Sequence, residues 1–296
     1  MTADRTLAAD ALSSGYGSTT IVDDVSLELP AGGISVIVGA NACGKSTLLK
    51  TLSRLVPATG GAVLLDGEAI AKRSTKALAR TLGLLPQQPV APEGIAVADL
   101  VGRGRHPHQK LFRSWGAEDD RAVAEALEAT GITGLADAVV DELSGGQRQR
   151  VWIAMALAQE TDVLLLDEPT TFLDLAHQVE VLDLLTDLNR SRGTTIAMVL
   201  HDINLAARYA DHIFAMRRGR LVASGAPADV VSPELIADVF GLDAVVAADP
   251  VSGTPLVIPR GRHHSAPRDA APGAPETSTT DTPAASAAAE PAGAPR

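Results

Sequence analysis

Eight residues, Gly39-Ala40-Asn41-Ala42-Cys43-Gly44-Lys45-Ser46, fit the pattern G-x-x-x-x-G-K-[ST]. In that pattern a tight turn aims backbone N–H groups at a phosphate, the lysine reaches the β- and γ-phosphates, and the hydroxyl ligates Mg²⁺. Lys45 and Ser46 are the candidates for those two tasks, and Thr47 offers support to the α-phosphate from the same turn. A glycine-rich strand-to-helix turn with a merely solvated lysine is the plainer reading, and the flanking residues decide between them. Residues 34–38 (ISVIV) form a short β-branched run before the turn, and Leu48, Leu49, Leu52 and Leu55 form a helical stripe after it. The motif therefore sits between a buried strand and an amphipathic helix, whose N-terminus adds partial positive charge. Ala40 and Ala42 stand where many such loops carry Pro and Gly, and Ala tolerates positive φ poorly. Cys43 is expected to be a small packed thiol.

A second chemical pair, Asp167-Glu168, follows the apolar run 163–166 (VLLL) and precedes Pro169. An Asp at a strand end can hold Mg²⁺ through its water shell, and a following Glu can orient and deprotonate an attacking water. The pair could equally cap a helix that has Pro169 at its first position. Between the two motifs lies Leu143-Ser144-Gly145-Gly146-Gln147-Arg148-Gln149-Arg150, followed by Val151, Trp152, Met155 and Ala158 at helical spacing. A Gly pair at a helix N-terminus, flanked by Ser and Gln side chains, is a second anion cradle.

The elements that must position these groups are those of an α/β layer architecture. The runs 34–38, 163–166 and 194–200 (TTIAMVL) read as buried parallel strands. Val181, Leu182, Leu185 and Leu188 form a helical stripe closed by Gly193. The stretch 89–160 carries more helix than strand, with a stripe through Val123, Leu127 and Ile132. There is no internal repeat at a fixed period.

Composition narrows the function classes. The 296 residues include 25 Lys or Arg against 36 Asp or Glu, a formal net charge of −11, which argues against a general nucleic-acid binder. Two Trp, two Tyr and four Phe are too few for a single-strand stacking platform. One cysteine excludes an internal disulfide framework and suits a reducing compartment. Residues 1–10 lack the apolar centre of a secretory signal, and no run of 18 or more apolar residues is present. A soluble, cytoplasmic protein is expected. Residues 261–296 hold 11 Ala and 6 Pro but no large apolar residue, and are expected to be a disordered tail.

Taken in order, the phosphate loop, the run 143–150 and Asp167-Glu168 closely resemble the ATPase subunits of ABC transporters, over roughly residues 5–260. The resemblance implies a P-loop NTPase nucleotide-binding domain, with a RecA-like core at about 5–88 and 162–260 and a helical subdomain at about 89–161. It implies ATP and Mg²⁺ as cofactors, with nucleotide contacts from Gly39, Ala40, Asn41, Ala42, Cys43, Gly44, Lys45, Ser46 and Thr47. Tyr16 looks like the aromatic that stacks on adenine. Gln87 looks like the glutamine that senses Mg²⁺ and the membrane partner, Asp174 like the D-loop aspartate, and His201 like the switch histidine at the γ-phosphate. Lys45, Gln87, Glu168 and His201 would then be catalytic, and Ser46, Gln87 and Asp167 would hold the metal. Ser144, Gly145, Gly146 and Gln147 would face the ATP of a second copy, so the resemblance implies a homodimer around two ATP molecules.

The resemblance further implies separate membrane permease subunits, a substrate-binding lipoprotein acting through them, and a location at the cytoplasmic face of the membrane. No nucleic-acid partner is implied. Residues 99–109, 157–162, 171–178 and 249–255 resemble ferric-siderophore importer ATPases of the ferric-enterobactin and ferric-citrate type, with cobalamin and haem importer ATPases as near relatives. His106, His108 and His177 lack a complete ligand set for a metal and are expected at the surface or against a permease, and His263 and His264 in solvent. A soluble ABC ATPase of translation or DNA repair is the alternative from another class. The second cassette or long coiled coil of those proteins is missing here.

Overall fold

The structure, a computed structural model, describes residues 5–109, 115–171 and 173–263. The predicted tail from 264 onward, with His264, lies outside the described residues, as does Phe172. The chain opens with strands β1 (Leu7–Tyr16) and β2 (Thr19–Leu29), then β3 (Ile34–Gly39), helix α1 (Lys45–Leu52), β4 (Ala58–Leu65), β5 (Glu68–Ala69), α2 (Thr75–Ala79) and β6 (Leu82–Leu85). Helices α3 (Val97–Gly102), α4 (Ala117–Ala129) and α5 (Gly145–Ala158) follow, with no strand between them among the described residues. Strand and helix then alternate through β7 (Val163–Asp167), α6 (Leu175–Arg192), β8 (Thr195–Val199) and α7 (Ile203–Tyr209). After these come β9 (His212–Arg217), β10 (Arg220–Gly225), α8 (Pro227–Val230), α9 (Pro233–Phe240) and the hairpin β11 (Ala244–Ala248) and β12 (Pro255–Pro259).

The central sheet has the order β10-β9-β3-β8-β7-β6, parallel from β9 to β6. A second, antiparallel sheet has the order β2-β1-β4-β5. The apolar runs of the central strands are buried on both faces, and their alternate residues feed two different cores. Val36, Leu164, Leu166, Ile196 and Met198 pack with helices α3 to α6. Ile37, Val163, Leu165, Ala197 and Val199 pack with Leu48, Leu49 and Leu52 of α1 and the antiparallel sheet. That two-sided burial is why these runs show no polar alternation.

Three boundaries differ from the periodicity. The α1 stripe ends at Leu52, because Ser53 caps the helix and Arg54 turns the chain at φ 62, leaving Leu55 65% exposed. Helix α4 stops at Ala129, before Gly131 at φ 66, so Ile132 joins the core from outside the helix. Strand β8 covers 195–199, shorter than the apolar run 194–200. Gly193, at φ 67, is the C-cap of α6, as its position predicts.

Arg105 is the largest fully buried side chain. Its guanidinium donates to Asp119 at 3.0 Å, to Glu160 at 2.7 Å and to the Ala158 carbonyl at 2.8 Å, joining the start of α4 to the end of α5. The His108 ring meets the Gln159 carbonyl at 2.8 Å from a half-buried position, whereas His106 is exposed. Removing Arg105 takes the buried cation from between two partly buried carboxylates, leaving Glu160 with Arg121 and Asp119 with the Gly116 N–H. Arg105→Ala is expected to lower the unfolding free energy by about 3 kcal/mol in urea titrations.

Candidate functional site

Strands β3, β8, β7 and β6 are neighbours in the parallel sheet, and each delivers a candidate residue just beyond its C-terminal end. Register does the alignment: Ile37 lies beside Val199, and Val199 beside Asp167. Gly39 and His201 therefore each stand two residues past that line, with Glu168 one past it and Gln87 two past the end of β6. The carboxyl edge of such a sheet is where open α/β proteins place their ligand crevice.

The loop after β3 runs from Gly39 to Gly44, which is the N-cap of α1 at φ 110. A Cβ on Gly39 would come 2.4 Å from the Met216 carbonyl, so only glycine fits there. The Gly219 N–H donates to the Cys43 carbonyl at 2.8 Å and braces the loop from the β9–β10 turn. Ala42 does adopt φ 61, a left-handed conformation costing about 1–2 kcal/mol for a residue with a Cβ. Cys43 is buried, and burial raises its thiol pKa. The Lys45 ammonium is nearly buried and donates to the Gly39 and Ala40 carbonyls at 2.9 and 3.1 Å, which holds it against the loop.

Ser46 donates its hydroxyl to Asp167 Oδ1 at 2.8 Å. The other oxygen of this buried carboxylate, Oδ2, has no hydrogen-bond partner. Burial is the main influence on Asp167 and raises its pKa, against the lowering effect of the Ser46 bond. Glu168 has φ 56 and receives three donors: His201 Nε2 at 2.7 Å on Oε1, and Thr171 Oγ at 3.0 Å together with the Gln87 amide on Oε2. A carboxylate accepts only, so Nε2 of His201 carries the proton in this contact. Glu168 thus joins the ends of β6, β7 and β8 at one point. Thr171 was missed by the sequence reading. Its position three residues after Glu168 was the available signal, because that spacing turns a hydroxyl back onto the carboxylate.

Tyr16, Lys45, Ser46, Gln87, Glu168 and His201 all line one cavity of about 490 Å³, with Tyr16 at 54% exposure. A larger cavity of about 610 Å³ between α4, α5 and α6 contains none of these groups. Ser144, Gly145, Gly146 and Gln147 do not line the 490 Å³ cavity either. They form a capping box at the start of α5, where Ser144 Oγ accepts from the Gln147 N–H and Gln147 Oε1 accepts from the Ser144 N–H. Asp174 is the N-cap of α6, and its carboxyl pKa is held low by the backbone N–H and ring N–H of His177. His177 is thus paired with Asp174 while its side chain stays 44% exposed at the surface.

The family model for ABC transporters matches residues 22–171. The chain belongs to the ABC transporter family. It is 54% identical to the ferric enterobactin transport ATP-binding protein of Escherichia coli (strain K12) over 256 residues, 86% of this chain and 94% of the relative. It is 48% identical to the iron(3+)-hydroxamate import ATP-binding protein of Bacillus subtilis (strain 168) over 254 residues, 86% and 94% of the two chains. Among solved structures, a dimeric bacterial ABC transporter cassette matches with a TM-score of 0.66 at 27% identity, over 74% of this chain and 98% of that one. As an ABC cassette, the chain binds and hydrolyses ATP. No helix among its described residues is long and apolar enough to cross a membrane.

Because burial raises the Asp167 pKa, the folded cassette binds a proton more tightly here than the unfolded chain, and stability falls as pH rises through that window. Asp167→Asn is therefore expected to raise the melting temperature at neutral pH in EDTA-containing buffer. The gain should shrink toward pH 4, where differential scanning fluorimetry would follow it.

Proposed function

We propose that this ABC cassette energises the import of an iron(III)–siderophore complex through a separate membrane permease. The observation that carries the cargo is the 54% identity to a ferric enterobactin transport ATP-binding protein over nearly the whole of both folds. The 48% identical relative is also named for import of an iron(3+) chelate. The working unit is a homodimer of cassettes bound to the permease at the cytoplasmic face of the membrane, indirectly served by a binding lipoprotein. Within each cassette, residues 5–88 and 162–260 act as the core and 89–161 as the helical subdomain. An apolar groove with Leu55, Leu78, Leu82, Leu84 and Pro86 lies beside the strand leading to Gln87 and gives the permease a surface to grip.

In the proposed site Tyr16 stacks on adenine, and the amides of residues 39–47 with Lys45 cradle the phosphates. The donor set fits Mg²⁺: hard oxygens from Ser46, Gln87 and Asp167, with Asp167 Oδ2 buried and unpartnered. The bound metal supplies charge neutralisation across the β- and γ-phosphates. Glu168 orients the attacking water and takes its proton. As the water oxygen bonds to the γ-phosphorus, the bond to the β–γ bridging oxygen breaks and its electron pair leaves with ADP. His201 and Lys45 stabilise the charge on the transferred group. Ser144, Gly145, Gly146 and Gln147 of a second copy complete the enclosure from the opposite side. ATP therefore favours a closed dimer and hydrolysis reopens it, which lets differential binding do work on the permease.

Glu168→Gln is expected to retain ATP binding, to lose turnover by a factor on the order of 10²–10⁴, and to accumulate a closed dimer on size-exclusion chromatography with ATP. Wild-type turnover would remove Glu168 from the role of base. In cells, deletion of the gene is expected to abolish uptake of ⁵⁵Fe-labelled siderophore, with recovery by the wild-type gene and not by the Glu168→Gln form. A defect confined to cobalamin or haem would reassign the cargo.

A further inference from the structure

Gly146 in the signature turn and His177 in the segment after Glu168 are 31 residues apart in sequence, yet they touch. The imidazole of His177, in the first turn of α6, lies directly on Gly146 in the first turn of α5. A Cβ on Gly146 would come 2.8 Å from His177 Cδ2 and 3.2 Å from its Nε2, so the ring occupies the space that any other residue type would need. The ring is held there from its other side, where Nδ1 donates to Asp174 Oδ1 at 2.7 Å. One turn further along both helices, Arg150 of α5 pairs with Glu180 of α6. Positions 146 and 150 share one face of α5, and 177 and 180 share one face of α6, so the two contacts form successive rungs between the helices.

Upstream, the same segment is tied to the candidate base. Thr171 donates to Glu168 Oε2, its N–H donates to the Glu168 carbonyl at 3.2 Å, and the Gln178 amide donates back to the Leu173 carbonyl at 3.0 Å. Short contacts therefore tie Thr171 to Glu168 at one end of this segment, and Leu173 to Gln178, Asp174 to His177 and His177 to Gly146 at the other.

We propose that His177 is a positioning residue for ATP hydrolysis, coupling the Glu168 segment of each cassette to its own signature turn. The turn that contacts one nucleotide and the carboxylate that serves the other then move together, so that closure on one ATP is registered at both. The inference rests on the proposed role of the signature turn in completing the site. His177 does not line the 490 Å³ cavity; it acts through Gly146 and Asp174.

The test is steady-state ATP hydrolysis by the full-length protein, with kcat and KM resolved and urea midpoints measured in parallel. His177→Ala is expected to lower kcat on the order of tenfold while leaving the KM for ATP within about twofold, because ground-state contacts at the phosphate loop are untouched. His177→Gln, which keeps a donor for Asp174 and covers the same turn, is expected to recover most of the rate. Gly146→Ala should cost less activity in the His177→Ala background than in the wild type, since the clash it creates is with the ring. Unchanged kcat in His177→Ala, or a loss that follows the urea midpoint and is not recovered by Gln, overturns the coupling. A Ser144→Ala control separates the two ideas: normal turnover there sinks the role of the signature turn itself, whereas impaired Ser144→Ala beside unimpaired His177→Ala sinks only the coupling.

Discussion

Four parallel strands ending on one edge of a sheet impose the arrangement on which everything else depends. In the order β3, β8, β7, β6, hydrogen-bonded register leaves little freedom in where the next residue of each strand falls. The phosphate loop, His201, Asp167-Glu168 and Gln87 are brought together because their strands are neighbours, not because their sequences are near. The Glu168 carboxylate then closes the arrangement by accepting from residues on two neighbouring strand ends and from its own turn. Two of the residues that carry a Cβ at positive φ, Ala42 and Glu168, lie at this edge. Strain of this kind persists only where surrounding contacts over-determine the geometry. The Gly219 brace and the three Glu168 donors supply those contacts.

A net charge of −11 is a poor match for a polyanion such as ATP when taken over the whole chain. The site resolves this locally. Backbone amides of the loop, the α1 N-terminus and the Lys45 ammonium sit within a single cavity, and field at short range outweighs a global sum that solvent screens. The same logic accounts for Asp167. A buried carboxylate with one oxygen unpaired weakens the fold, and its retention is understandable where a cation completes it.

The signature turn behaves differently from the other candidate groups. Its Ser and Gln are occupied in capping α5, it is largely exposed, and it does not line the cavity of its own chain. A group at a helix N-terminus that does not line its own chain's cavity is consistent with the proposed role toward the nucleotide of a second copy. The rungs between α5 and α6 give that exposed turn a mechanical link back to the interior.

Much of this was legible in the residues themselves. The phosphate loop, the buried runs that became β3, β7 and β8, and the helix that starts at the Gly pair follow from spacing and periodicity, since a strand buried on both faces must be apolar throughout and a loop that binds phosphate needs glycine. Helix ends were less legible: Leu55 and Ile132 continue an apolar rhythm, but Arg54 and Gly131 turn the backbone before them. Nothing local in the run 99–109 marks Arg105 as a buried side chain, and nothing near His177 shows that its ring is seated on Gly146; the fold does both. Sequence determined which local elements form and which groups could handle phosphate, because those depend on neighbours a few residues away. Which strand lies beside which, which donors converge on Glu168, and that the signature turn stays out of its own chain's cavity were decided only by tertiary structure. Those are relations between residues tens to more than a hundred positions apart, and no local periodicity carries them.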